Sequence, residues 1–152
     1  MGQSELWTRS ELVVEDDDVV ARLLQFILQG ESYVVQRVAD GAGALTLIEH
    51  EVAPDLVTLD YMLPDMTGID LLRTMRSSPD WKHVPVLLLS AETRELVELA
   101  APADGGGTIA FMEKPFRAAE LRAYISRFMN ETALHHVRGG ATPRRAAAGR
   151  RY

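Results

Sequence analysis

Apolar residues along this chain fall into two alternating rhythms. Short runs rich in valine and leucine recur at Leu12 to Val14, Tyr33 to Val38, Leu56 to Leu59, Val84 to Leu89 and Thr108 to Met112, and each reads as a strand. Between and after them the apolar positions return at helical spacing. Val19, Val20, Leu23, Leu24, Ile27 and Leu28 form the first such set, and Ala44, Leu45, Leu47 and Ile48 the second. Ile69, Leu71, Leu72 and Met75 follow, then Leu96, Val97 and Leu99, and finally Leu121, Tyr124, Ile125 and Phe128. Five strands alternating with five helices predict a parallel α/β sheet. The runs LVTL and PVLLL show no polar alternation, as expected of strands covered by helices on both faces.

That pattern predicts a flavodoxin-like (βα)5 architecture, a doubly wound five-stranded parallel sheet of order 2-1-3-4-5. In such folds chemistry sits at the carboxyl ends of the strands. A length of 152 residues with 47% hydrophobic side chains suits one core. No apolar run reaches the roughly 18 residues a membrane helix needs, and Met1 to Ser10 lacks the apolar stretch of a signal peptide, so a cytoplasmic protein without membrane insertion is expected. With no cysteine, any metal must be held by oxygen or imidazole.

The net charge of -6 conceals an asymmetry. Residues 1–130 carry 11 basic and 21 acidic side chains, whereas residues 131–152 carry five arginines and one glutamate. An acidic body disfavours non-specific nucleic-acid binding, so nucleic acid is not expected as a partner outside the tail. The chain divides into an N-terminal extension (1–9), a folded body (10–130) and a basic tail (131–152) that reads as disordered. His135 and His136 open that tail, and without further ligand partners they read as a polar helix end rather than a metal site.

Four strand ends carry the candidate chemistry. Strand one ends in VVEDDD, placing Glu15, Asp16 and Asp17 where the chain leaves the sheet, and strand three ends in LVTLD, placing Asp60 beside them in the expected order. Carboxylates gathered this closely raise one another's pKa unless a cation joins them. Magnesium fits, because it accepts one or two carboxylates and keeps its remaining positions for water and phosphate. Strand four contributes the hydroxyl of Ser90, and strand five runs into FMEKPF with the ammonium of Lys114. A carboxylate nucleophile, a divalent ion, a hydroxyl and a lysine are what phosphoryl transfer to an aspartate requires. Singly each residue has a plainer role, such as Asp17 and Asp18 capping the first helix; the set at successive strand ends gives the pattern its weight.

The segments EDD, LDYMLPDMTG, LLLSA and FMEKPF resemble, in order and place, the motifs of response-regulator receiver domains of two-component signalling, over residues 10–130. The resemblance implies that Asp60 is the phosphoacceptor and Asp16 the direct Mg2+ ligand. It also implies that Glu15 acts on the ion mainly through water and that the backbone carbonyl of Met62 completes the ligands. Lys114 would pair with Asp60 and then with phosphate. Ser90 and Phe111 would form a switch pair that alters the face made by the fourth helix, fifth strand and fifth helix. A cis bond before Pro115 is usual in the family, Gly68 allows a tight loop beneath the phosphoacceptor, and Met62 and Glu92 stand where the family tunes hydrolysis. The expected partners are a sensor histidine kinase or histidine phosphotransfer protein and a downstream target, the state a monomer or weak dimer.

Two departures stand out. Pro102 and the run Gly105 to Gly107 replace the usual sequence before strand five, and Phe111 replaces the commoner tyrosine, removing a hydroxyl from the switch ring. No further globular segment follows the fifth helix, which points to a single-domain regulator, not an enzyme on other substrates. The alternatives are a phosphorelay shuttle and a phosphate-independent interaction module on the same fold. A phosphatase of the aspartyl-nucleophile type needs a second aspartate two residues after the first, and that position is Met62.

Overall fold

The computed structural model describes residues 8–92 and 108–138. A parallel five-stranded sheet has the order β2-β1-β3-β4-β5, as expected. Its strands are β1 (Arg9–Val14), β2 (Tyr33–Val38), β3 (Leu56–Asp60), β4 (Val86–Ser90) and β5 (Ile109–Glu113). The described helices are α1 (Asp18–Gly30), α2 (Gly41–His50), α3 (Gly68–Ser77) and α4 (Ala118–Arg138). The helix expected around Leu96 to Leu99, the segment Pro102 to Gly107 and the chain beyond Arg138 lie outside the described residues.

Every residue of β3 and β4 is buried, which explains their lack of polar alternation. On one face of the sheet Leu12, Val14, Val57, Leu59 and Leu88 pack with Ala44 of α2 and Ile69, Leu72 and Met75 of α3. On the other, Val13, Leu56, Leu87 and Leu89 meet Leu24 and Leu28 of α1 and Leu121, Ile125 and Phe128 of α4. Truncating a leucine in either layer to alanine is expected to cost about 2–5 kcal/mol. No described helix is long and apolar enough to cross a membrane.

Two boundaries differ from the sequence pattern. β1 begins at Arg9, because pairing with β2 runs from Arg9↔Tyr33 to Val14↔Val38. The last helix passes Asn130 and continues to Arg138, which corrects the expectation of a disordered tail from residue 131. The physical reason is a buried stripe, Leu121, Ile125, Phe128 and Thr132, that keeps helical spacing past that point. Thr132 satisfies its hydroxyl by donating to the carbonyl of Phe128 at 2.8 Å.

Candidate functional site

Parallel register brings the strand ends to one edge of the sheet. Asp60 pairs with Leu89 and Ser90 with Glu113. The ladder extends one step further where Lys114 N–H donates to the carbonyl of Ser90 at 2.7 Å and Tyr61 N–H to that of Leu89 at 2.9 Å. Beneath Asp60 the chain passes very close to α3. Gly68 N–H donates to the Tyr61 carbonyl at 2.6 Å, and a Cβ on Gly68 would stand 2.6 Å from the Asp60 carbonyl, so only glycine fits without a backbone shift. Thr67 then starts α3 with a capping box to Asp70.

Glu15, Asp16 and Asp60 each present a carboxylate oxygen within 4.8 Å of the others. Glu15 and Asp60 are buried, while Asp16 is exposed. Lys114 Nζ donates to Glu15 Oε1 and to Asp60 Oδ1, both at 3.0 Å. Loss of water on burial raises the pKa of Asp60, and Lys114 and the N–H of Met62 oppose that rise. Glu15 is raised by the same loss of water, with the nearby charge of Asp60 adding to it and Lys114 acting against it. Burial works against the ammonium of Lys114, but its two carboxylate partners outweigh this and hold its pKa above the ordinary lysine value. Three carboxylates against one ammonium leave two negative charges in a half-covered mouth lined by hard oxygen donors. A divalent ion of magnesium's kind fits that balance.

The remaining acids of the β1–α1 turn are committed elsewhere. Asp17 caps α1, accepting from the N–H groups of Val19 and Val20 at 2.9 and 3.2 Å. Asp18 pairs with Arg37 at 2.9 Å. This leaves Asp16 as the exposed acid of the turn that joins Glu15 and Asp60. The bond between Lys114 and Pro115 is cis.

The structure brings Glu15, Asp16, Asp60 and Lys114 together, with the N–H of Met62 on Asp60, and gives the side chains of the other sequence candidates different neighbours. Ser90 sits at the correct strand end, but its hydroxyl donates to the Glu92 carbonyl at 3.0 Å and accepts from the Glu92 N–H at 3.1 Å. Phe111 is half-buried and packs on the α2/α3 side of the sheet. The side chain of Met62 is exposed, and the residue forms an isolated bridge with Thr67.

Three interactions go beyond what the motifs announce. Glu15 shares the lysine with Asp60, which spacing alone does not show. Arg37 grips the turn from β2. Asp65, in the loop after Asp60, accepts from the N–H groups of Gly41 and Ala42 at 2.8 and 2.9 Å, tying that loop to the start of α2. The backbone donors of Gly41 and Ala42 lower the Asp65 pKa. The faint signal for Arg37 is a charged residue next to last in the run YVVQRV.

Comparison with known proteins agrees with this geometry. The response regulator receiver domain family matches residues 12–126. The DNA-binding response regulator MtrA of Mycolicibacterium smegmatis is 39% identical over 114 residues, covering 75% of this chain and 47% of MtrA. The probable transcriptional regulatory protein TcrX of Mycobacterium tuberculosis is 33% identical over 130 residues, covering 86% of this chain and 53% of TcrX. The chain thus spans about half the length of the curated relatives it matches. Among solved structures, a putative response regulator from Chloroflexus aurantiacus superposes with a TM-score of 0.71 at 31% identity, covering 81% of this chain and 98% of that one. The receiver domain of the Pseudomonas aeruginosa sensor histidine kinase PA1611, which has a magnesium ion coordinated in its active site cleft, gives 0.69 at 28% identity, with coverage of 81% and 98%. The expectation that nucleic acid is not a partner runs against relatives named as DNA-binding regulators. Acidic charge in the receiver speaks only for the receiver, and it leaves open what the relatives' remaining length does. The chain belongs to the response-regulator receiver-domain family of two-component signalling.

Proposed function

We propose that this receiver is a phosphoacceptor switch in which Asp60 takes a phosphoryl group from the phosphohistidine of a sensor histidine kinase or histidine phosphotransfer protein. The observation that carries the reading is the shared ammonium: Lys114 lies 3.0 Å from oxygens of both Glu15 and Asp60, with Asp16 exposed beside them. A carboxylate oxygen of Asp60 attacks phosphorus and the P–N bond breaks. The electron pair stays on the departing imidazole, and an acyl phosphate forms on Asp60. Asp16, Glu15 through water, Asp60 and the Met62 carbonyl are the residues that would hold Mg2+. When bound, the ion offsets negative charge on the phosphoryl oxygens.

Lys114 holds an Asp60 oxygen before transfer and is close enough to pair with a phosphoryl oxygen afterwards. Ser90 must release the Glu92 carbonyl to donate to the phosphoryl group, and Phe111 is the aromatic member of the pair that reports this change to the surface near β5. The chemistry is confined to Asp60 itself. Met62 offers no general acid at the position where an aspartyl-nucleophile phosphatase needs one, so turnover of other phosphoesters is not expected. A cytoplasmic site of action follows from this reading, since the kinase partner draws its phosphoryl group from ATP. The names of the relatives favour a second reading of the output, in which the switched surface controls contact with DNA rather than docking on a separate protein target.

Incubation with Mg2+ and acetyl phosphate, followed by intact mass measurement, tests the proposal. A base-labile phosphoryl adduct is expected on the unaltered protein and none on Asp60→Ala. An adduct that persists in Asp60→Ala, or none on either protein, would overturn it.

A further inference from the structure

We propose that Arg37 is a positioning residue for the acidic turn, setting the direction in which Asp16 presents its carboxylate. This rests on the reading of Glu15, Asp16 and Asp60 as a divalent-cation site. Arg37 is the penultimate residue of β2 and its side chain is 24% exposed. Its Nε and Nη2 both donate to the backbone carbonyl of Glu15, at 2.9 and 2.7 Å, and its Nη1 donates to Asp18 Oδ1 at 2.9 Å. The N–H of Glu15 donates to the Val38 carbonyl at 3.1 Å, so β2 holds the main chain of Glu15 on both sides.

The Glu15 carbonyl belongs to the peptide unit that joins Glu15 to Asp16. Two donors on that oxygen fix the plane of this peptide, and with it the line along which the Asp16 side chain leaves the backbone. On the far side of Asp16, the Asp17 N–H donates to Glu15 Oε2 at 3.1 Å and the Asp17 carboxylate is spent on the α1 cap. Asp16 is thus the exposed acid of the turn that joins the cluster with Glu15 and Asp60, on a backbone clamped before and after it. A planar guanidinium fork can serve one carbonyl with two parallel donors and still reach Asp18 with a third; an ammonium lacks that shape.

The sign of the effect separates positioning from charge. Acting only as a positive charge, Arg37 would repel a cation, and its removal would tighten binding. Acting as a clamp, it makes the turn a better ligand, and its removal loosens binding.

The test is calorimetric titration of Mg2+ into the unaltered protein, Arg37→Gln, Arg37→Lys and Asp18→Asn, with thermal unfolding of each to show that it is folded. Arg37→Gln is expected to bind Mg2+ about tenfold more weakly, the scale seen when groups that orient metal ligands are lost. Arg37→Lys keeps the charge without the fork and is expected to lie near Arg37→Gln; it also carries the test if Arg37→Gln does not fold. Asp18→Asn breaks only an exposed ion pair and is expected to stay within about twofold. Equal or tighter binding in folded Arg37→Gln, or full affinity in Arg37→Lys, would overturn the inference. Failure of the unaltered protein to bind Mg2+ would instead remove the cation-site reading beneath it, and the inference with it.

Discussion

Glu11 and Glu15 lie on the same strand path, four positions apart, and burial raises the pKa of both, but their partners differ. Both are 1% exposed. Glu15, at the strand exit, has the Lys114 ammonium on one oxygen and the Asp17 N–H on the other. Glu11, inside β1, has the hydroxyl and N–H of Thr58 on one oxygen, at 2.8 and 3.0 Å, and no partner among the described residues for the other. Burial pushes the Glu11 carboxyl up to about 8, with the Thr58 bonds only partly opposing it. Glu11 also acts electrostatically on Tyr33 of β2, whose hydroxyl accepts from Arg9 at 3.4 Å and which the charge of Asp55 also reaches. The lesson is that burial alone turns a carboxylate into a proton holder. A cation beside it opposes that rise.

The strongest test of this contrast is pH. A carboxyl whose folded pKa stands near 8 against 4.5 in the open chain binds its proton more tightly when folded. Its stabilising contribution is complete below the lower value and is lost as pH rises through the upper one. Denaturant unfolding should therefore show stability falling between about pH 5 and 8, by up to about 1.4 kcal/mol per unit. Glu11→Gln, which keeps the shape and cannot ionise, should flatten that slope; an unchanged slope would assign it to the raised carboxyls of the mouth.

Lys114→Met sharpens the contrast from the other side by making Glu15 resemble Glu11. Without Mg2+ at pH 8, unfolding should show a loss of about 2 kcal/mol, below the range for fully buried pairs because the lysine is part-exposed. The same variant should show a steeper decline with pH and little phosphoryl incorporation. A smaller effect is expected from Thr58→Val, which removes one donor to Glu11 and should cost about 1 kcal/mol, more at pH 8 than at pH 5. Asp17→Ala is a control in the same turn. Losing the α1 cap should cost about 1 kcal/mol, measured by the same unfolding series.

Much of the fold was legible because apolar spacing and strand burial are properties of the chain. LVTL and PVLLL could be read as doubly covered strands before their neighbours were known. The acids, serine and lysine were legible as a set because parallel strands deliver their carboxyl ends to one edge. Glu11 was not, since a glutamate beside an apolar run looks like a strand boundary; only pairing with β2 from Arg9 onward places it inside. The helical stretch beyond Asn130 was missed for a related reason: a run with few apolar residues has no visible partner until Thr132 is seen to continue a buried stripe.

Sequence by itself determined the order of elements and the residue types at each strand end, since both follow from local periodicity and motif. Tertiary structure alone decided which carboxylate is paired with a lysine, which has its burial largely unopposed, and which is left exposed on a backbone held by Arg37. Those outcomes depend on distance and on the loss of water, and both are set by residues far apart in the chain.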